Sequence, residues 1–336
     1  MTLRDVMEDL WGALDSNVSP GSDRLRVTET PVTSTTGSLM AAVDDAGCRH
    51  LLVPVASDRF VRGGLDGPAL VLRKRTLQDN EDRRTFADLG CLRRDLDDVF
   101  TGLCADVLRS VEEEPHDALK ILYRRVDHWR ALFRTSSRLL GSEQQAGLFA
   151  ELTVLIALLE LDPSAHRTWA GPARHRHDFV GGGRAVEVKA TTASDGRRIR
   201  VHGLDQLEAP PGGLHLHWLR LETGGESARS LNSLIEVAVE LCDDESDLRT
   251  RLAASGYNIV DQRHYDETRF AVVDRRQYSV GPDFPRLVAC DLQDAGIPIN
   301  VTDVAYTVDL SSEPPVPVST EHAEEHLVAM LRDGSK

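Results

Sequence analysis

A short acidic hairpin constrains this chain more than any other part of its sequence. The stretch that ends at Lys189 reads His-Asp-Phe-Val-Gly-Gly-Gly-Arg-Ala-Val-Glu-Val-Lys. A tight turn with positive φ at Gly182 and Gly183 fixes how its two strands pair. Asp178 then lies opposite Glu187, and Lys189 shares their face of the sheet because side chains alternate along a strand. Facing carboxylates repel each other, and a metal ion between them would remove that cost.

A buried helix is predicted upstream of the hairpin, from Glu143 to about Glu160. Ser142 with Gln145 three residues later is a capping-box pattern that marks its start. The helix is apolar nearly all round, so we expect Glu151 in its middle to have a partner or a raised pKa. The alternative is that Glu151 lies at a polar edge or pairs with a structural arginine.

Positive charge surrounds the hairpin in a chain that is acidic overall. The net charge of −15 argues against a generic nucleic-acid coat. Between Ser164 and Gln206, however, four acidic residues are outnumbered by eight basic ones: Arg167, Arg174, Arg176, Arg184, Lys189, Arg197, Arg198 and Arg200. Phosphodiester cleavage needs cationic side chains that bind phosphates and carboxylates that bind metal. This segment contains both. A solvated strand edge guarded by arginine is an equally good interpretation of the charge alone.

Hydrophobic periodicity predicts an α/β protein in four regions. Residues 1–90 are predicted to be β-rich, and 91–140 to be a helical connector. Residues 141–256 are predicted to form a helix, then four strands, then helix again, which indicates helices packed on a central sheet. Residues 257–336 are predicted to be a second β-rich region that ends in a helix.

An arginine stripe is predicted in the helical connector. Arg130, Arg134 and Arg138 recur every four residues, which places them along one side of a helix. Such a stripe costs stability unless something anionic lies on it. The DNA backbone and acidic residues elsewhere in the chain are both candidates.

The remaining composition predicts a cytoplasmic protein without a membrane span. No apolar run approaches the roughly 18 residues of a span, and the acidic, amphipathic N-terminus does not resemble a signal peptide. The five cysteines are scattered without C-x-x-C spacing, so they are interpreted as reduced thiols rather than a zinc site or a disulfide framework.

Asp178, Glu187-Val188-Lys189 and Glu151 together resemble the PD-(D/E)XK nuclease superfamily, the restriction-endonuclease-like fold. More narrowly, the layout is similar to a bacterial group of PD-(D/E)XK family members whose genes are often found beside phage-defence genes. The resemblance implies a helix, a mixed four-stranded sheet and a second helix, with β-rich N-terminal and C-terminal additions. His177 stands where the proline of the motif would be.

The resemblance also implies a metal site. Asp178 would bridge the catalytic metal, Glu187 would be a second carboxylate ligand, the Val188 carbonyl would assist, and Glu151 would complete the shell. Mg²⁺ suits oxygen ligands of this kind, and Mn²⁺ is the alternative ion.

Further site residues follow from the same resemblance. Lys189 would orient or activate the attacking water and stabilise charge on the phosphate; whether it shares a proton or stays charged is left open. Gln206 matches a glutamine found on the following helix in methylation-linked branches. The predicted DNA-backbone contacts are Arg184, Arg197, Arg198 and Arg200.

These observations lead to one principal hypothesis and two alternatives. The principal one is an Mg²⁺-dependent DNA endonuclease of a restriction or phage-defence system, as a homodimer if both strands are cut. The first alternative is a catalytically inactive DNA-binding or scaffold subunit that docks other defence-system proteins. The second is a structural ion cluster on the protein surface.

Overall fold

A computed structural model describes residues 2–16, 25–62, 69–79, 82–129, 139–297 and 303–332 of the 336. The chain forms two compact units, Met1–Thr135 and Ser136–Lys336. Each unit combines helices with β-sheet, so the predicted α/β class is confirmed. Among the described residues, no helix combines the length and the apolar character that crossing a membrane requires.

The first unit is an antiparallel sheet covered by helices. Its elements in chain order are α1 (Leu3–Asp15), β1 (Arg26–Ser34), β2 (Gly37–Val43), β3 (Arg49–Val55), β4 (Leu70–Asp79), β5 (Asp82–Cys91), α2 (Asp97–Glu113) and α3 (Ala118–Trp129). The strand order is β1-β2-β3-β5-β4. The sheet packs against α1, α2 and α3 through apolar faces that are buried.

The second unit is built on a mixed sheet with the order β10-β11-β9-β7-β6. Its strands and those of a small separate sheet are β6 (Phe179–Gly181), β7 (Arg184–Thr191), β8 (Arg198–His202), β9 (Leu214–Thr223), β10 (Arg229–Ser230), β11 (Arg269–Ser279) and β12 (Ala305–Asp309). Strands β7 and β9 are parallel, whereas the other neighbours are antiparallel. Strand β8 pairs only with β12 among the described strands.

Helices cover this mixed sheet. They are α4 (Ser142–Leu159), α5 (Leu231–Leu241), α6 (Glu245–Ala254), α7 (Gln262–Tyr265), α8 (Ala289–Asp294) and α9 (Thr320–Arg332). Helix α4 packs against β7 and α5, and α9 packs against β6 and β7. The predicted start of α4 is wrong by one residue: Gln144 Oε1 accepts from the Gly141 N–H at 3.1 Å, while Gln145 donates to the Leu140 carbonyl at 2.9 Å.

The observed units differ from the four predicted regions. Helices α2 and α3, predicted as a connector, pack on the sheet of the first unit. Strand β11, assigned to a separate C-terminal region, lies inside the mixed sheet, and β8 lies outside it. The described sheet therefore has five strands where the resemblance implied four. Periodicity predicts that a strand exists but not which strand it pairs with. Arg130, Arg134 and Arg138 lie outside the described residues.

The two faces of the mixed sheet differ in what they carry. On one face, Leu216, Trp218 and Tyr278 belong to an apolar core that continues onto β8 and β12. Pairing between β7 and β9 places Glu187 beside Leu216, and therefore on this face. The opposite face carries Val186, which is buried as predicted. The acidic hairpin thus lies at the edge of an apolar layer.

Candidate active site

The hairpin forms in the register that the sequence predicts. Gly182 and Gly183 have φ values of +51° and +68°, and Phe179 pairs with Val186 across the turn. Positive φ at both positions is the requirement of the tight turn, and glycine meets it without strain. A slip of one residue would move Glu187 to the opposite face of the sheet.

Asp178 lies immediately before β6, where the loop preceding the strand holds its main chain. The Asp178 carbonyl accepts hydrogen bonds from the N–H groups of Ala170, at 2.8 Å, and Gly171, at 3.0 Å. Its side chain reaches across to β7, where Oδ2 accepts from the Val188 N–H at 2.7 Å. These three bonds fix the position of the carboxylate relative to the hairpin.

Glu187 and Lys189 form an ion pair on β7. The distance between Lys189 Nζ and Glu187 Oε1 is 2.8 Å. Glu187 is only 1% exposed, and its Oε2 atom has no hydrogen-bond partner within the described part of the chain. The pair therefore leaves one buried carboxylate oxygen available for a ligand.

Glu151 approaches the hairpin from α4, and Trp169 holds it. The Trp169 indole Nε1 donates to Glu151 Oε2 at 2.8 Å. A Cβ atom at Gly171 would lie 3.1 Å from Asp178 Oδ1 and 3.5 Å from Glu151 Oε2. Glycine at this position therefore leaves the space in which the two carboxylates approach each other. The sequence did not single out Trp169 or Gly171, because no local pattern links them to α4.

Desolvation is the main cause that raises the pKa of all three acids. It brings the pKa of Glu151 to about 8 and raises the pKa of Asp178 and, strongly, that of Glu187. Asp178 and Glu151 keep some accessible surface as whole residues, but their carboxyl groups are largely withdrawn from water. The charge of Asp178 raises the pKa of both glutamates further, whereas Lys189 lowers the pKa of each of the three. The cluster therefore carries more acid groups than the Lys189 ammonium compensates.

The donor chemistry of this cluster fits a divalent cation. Carboxylate oxygens are the ligands that Mg²⁺ prefers, and one or two of them suffice when waters complete the shell. Glu187 Oε2 is the orphaned oxygen expected of such a site. Within the described ranges, no three His, Cys, Asp or Glu side chains are already arranged around a common metal position. Binding would therefore require the carboxylates to rotate toward a common position.

Gln206 does not lie where the resemblance implied. The segment after β8 is a turn rather than a helix. Gln206 Oε1 accepts from the His202 N–H at 2.9 Å, so its side chain closes this turn. The predicted helix is absent there because Gly203, with a φ of +89°, breaks the regular backbone.

The four predicted DNA-contacting arginines differ in their surroundings. Arg197 donates through Nε to the Leu310 carbonyl at 3.1 Å, so it helps to hold the chain after β12. Arg198 lies 3.3 Å from Asp309, with 75% of its side chain exposed. Arg200 is also exposed, and Arg184 donates to the Gly182 carbonyl within the hairpin.

A family model spans most of the chain. The family described as "Putative PD-(D/E)XK family member (DUF4420)" matches residues 7–311. Neither the curated proteins nor the solved structures gave a match.

Proposed function

Because the chain belongs to this PD-(D/E)XK family, which suggests a nuclease-like function, we propose that it is a divalent-metal-dependent DNA endonuclease. The observation that carries the proposal is the cluster itself. Glu151, Asp178 and Glu187 each interact electrostatically with Lys189, and Asp178, which precedes the hairpin strands, accepts from the Val188 N–H next to Glu187. We propose that α4, β6, β7 and β9 form the restriction-endonuclease-like core.

The acidic residues would hold the metal. Asp178 and Glu187 would be the principal ligands, Glu151 would complete the shell, and the Val188 carbonyl would assist. Bound Mg²⁺, or Mn²⁺ in its place, lowers the pKa of its water and stabilises charge on the phosphate. Trp169 would keep the Glu151 carboxylate in its orientation, and Lys189, once released from Glu187, would bind a phosphate oxygen.

The exposed arginines support a nucleic-acid substrate. Arg198 and Arg200 project from the same side of β8 into solvent, where they can contact backbone phosphates without reading sequence. We propose that the activity serves a restriction or phage-defence system, which the resemblance to a bacterial group found beside phage-defence genes supports. A double-strand cut requires two sites, so a homodimer is part of the proposal.

Plasmid cleavage tests the proposal. Wild type should cut in Mg²⁺ or Mn²⁺ and stop in EDTA, whereas Glu187→Gln should reduce cutting at least a hundredfold. Glu240→Gln, an exposed site on α5, is the matched control and should cut like wild type. The proposal is wrong if wild type leaves DNA intact in both Mg²⁺ and Mn²⁺, or if Glu187→Gln cuts as well as wild type.

One observation favours a second candidate function. The Lys189–Glu187 ion pair and the absence of an arranged metal position among the described side chains suit a DNA-binding or scaffold subunit that has lost catalysis. Calorimetry separates the two functions. A heat of Mn²⁺ binding that disappears in Asp178→Asn supports the nuclease. DNA binding by a protein that shows no heat of Mn²⁺ binding supports the inactive subunit.

A further inference from the structure

The sheet face that carries Glu187 becomes strongly basic beyond Lys189. Strand pairing aligns Lys189 with Trp218, and Trp218 with Arg276, in one row across β7, β9 and β11. The next row aligns Arg220 with Asp274. Paired side chains share a face, and neighbouring strands lie about 4.8 Å apart, so Arg276 is roughly 10 Å from Lys189.

A bulge in β11 places Arg276 on this face. The pairing of β11 with β9 shifts register between Val272 and Asp274. An extra residue in one strand reverses which later side chains point to which face. Without the bulge, Asp274 and Arg276 would lie on the side of Leu221 rather than that of Lys189.

Arginine charge exceeds carboxylate charge at this place. Arg276 Nε lies 3.7 Å from Asp274 Oδ2, and Arg197 Nη1 lies 4.0 Å from the same oxygen. Arg220 faces Asp274 directly across the strands. The Arg197 and Arg276 side chains are only 24% and 31% exposed, so water screens their mutual repulsion incompletely. This arrangement costs stability unless an anion joins it.

Two of the guanidinium groups are incompletely hydrogen-bonded. The Nε atoms of Arg220 and Arg276 are buried and have no hydrogen-bond partner among the described residues, so the fold leaves part of each charge uncompensated. Arg220 is nevertheless held in place, because Nη2 donates to the Gly196 carbonyl at 2.5 Å and its guanidinium lies 5.3 Å from the Trp218 ring centroid. A guanidinium that is already fixed loses little conformational freedom when one of its outer nitrogens binds a phosphate oxygen.

We infer that Arg197, Arg220 and Arg276 form a phosphate-binding site that holds the DNA backbone beside the carboxylate cluster. The inference rests on the proposed function. It implies that the bound DNA strand runs across the sheet from Lys189 toward β11. These contacts position the backbone and do not read bases. The sequence analysis named Arg197 but neither Arg220 nor Arg276.

DNA-binding titrations test this site. Fluorescence anisotropy with a short DNA duplex in EDTA, at several salt concentrations, measures affinity without cleavage. Arg220→Gln and Arg276→Gln should each weaken binding about tenfold and reduce the salt slope by about one. Asp274→Asn should strengthen binding, because it removes the carboxylate that competes with phosphate. Arg62→Gln, which removes an exposed arginine paired with Asp127 in the first unit, is the control and should bind like wild type.

The outcomes separate this inference from the proposed function. The phosphate site is overturned if both arginine variants keep the DNA affinity and the salt slope of wild type. This holds whether or not plasmid is cut. Arginine-dependent binding by a protein that never cuts supports the phosphate site and removes the nuclease. Wild type that binds no duplex overturns both. Thermal melting of each variant shows whether the fold is intact, and Mn²⁺ calorimetry shows whether the carboxylate cluster still binds metal. If an arginine variant fails to fold, the DNA affinity of Asp274→Asn decides the inference.

Discussion

The Trp169 indole N–H and the Glu151 carboxylate are joined by a hydrogen bond of 2.8 Å, and Trp169 is fully buried. The Trp169 carbonyl in turn accepts from Arg251 Nη1 at 2.8 Å. The loop that carries Trp169 also donates the two backbone N–H groups that hold the Asp178 carbonyl. One loop therefore positions both Glu151 and Asp178.

A double-mutant cycle should detect this positioning. In metal-free buffer at pH 9, above the Glu151 pKa of about 8, Trp169→Phe and Glu151→Met should be coupled by about 1.5–3 kcal/mol in the free energy of unfolding. Trp11→Phe is the control, since the Trp11 indole N–H has no hydrogen-bond partner in the described structure. Strict additivity of Trp169→Phe with Glu151→Met would contradict the assigned role.

The metal-free protein should lose stability as pH rises from about 5 to 8. The pKa of Glu151 is raised from 4.5 to about 8, so the folded state binds the extra proton in this interval. That contribution is fully present below pH 4.5 and disappears as pH rises through about 8. Urea unfolding in EDTA should show a shallower decline for Glu151→Gln than for wild type. Equal slopes would show that Glu151 ionises normally.

Adding one methyl group at Gly171 should damage the metal site. The new Cβ would press on Asp178 Oδ1 at 3.1 Å, in a backbone conformation that alanine can adopt. We expect Gly171→Ala to weaken Mn²⁺ binding about 10–100-fold by calorimetry, as changes beside metal ligands do. Gly147→Ala is the matched control on α4. Apart from its own helix backbone, no atom of the described residues lies within 4 Å of its added Cβ, so Gly147→Ala should stabilise the helix by about 0.5–1 kcal/mol and bind Mn²⁺ normally. Unchanged affinity in Gly171→Ala would show that the carboxylates move freely there.

Acid should destabilise the contact between β9 and α9. His215 and His326 stack with ring centroids 3.8 Å apart, and burial lowers the pKa of His215 to about 3. Repulsion from His326 and His322 lowers the pKa of His215 further, and Arg184 lowers the pKa of His326. The stability from neutral His215 is present above pH 6.5 and lost as pH falls toward 3, because the unfolded state binds the proton first. His215→Phe should flatten the acid side of the melting-temperature profile. A profile identical to that of wild type would contradict this.

Local chemistry explains which parts of the site could be predicted. The hairpin register followed from Gly182-Gly183, because the turn and the alternation of side chains are both local properties. Burial of α4 followed from its apolar composition. The prediction for Gln206 failed because it depended on an assumed helix that the turn at Gly203 excludes.

The sequence by itself determined the hairpin and its register, and with them the position of Lys189 on the same face as Glu187, because neighbours along the chain set that geometry. Only the tertiary structure decided what surrounds these groups. Trp169 meets Glu151 through a loop contact, and Arg276 reaches the face of Lys189 through a bulge in a distant strand. Strand pairing and loop closure depend on the packing of the whole unit, so no local pattern encodes them.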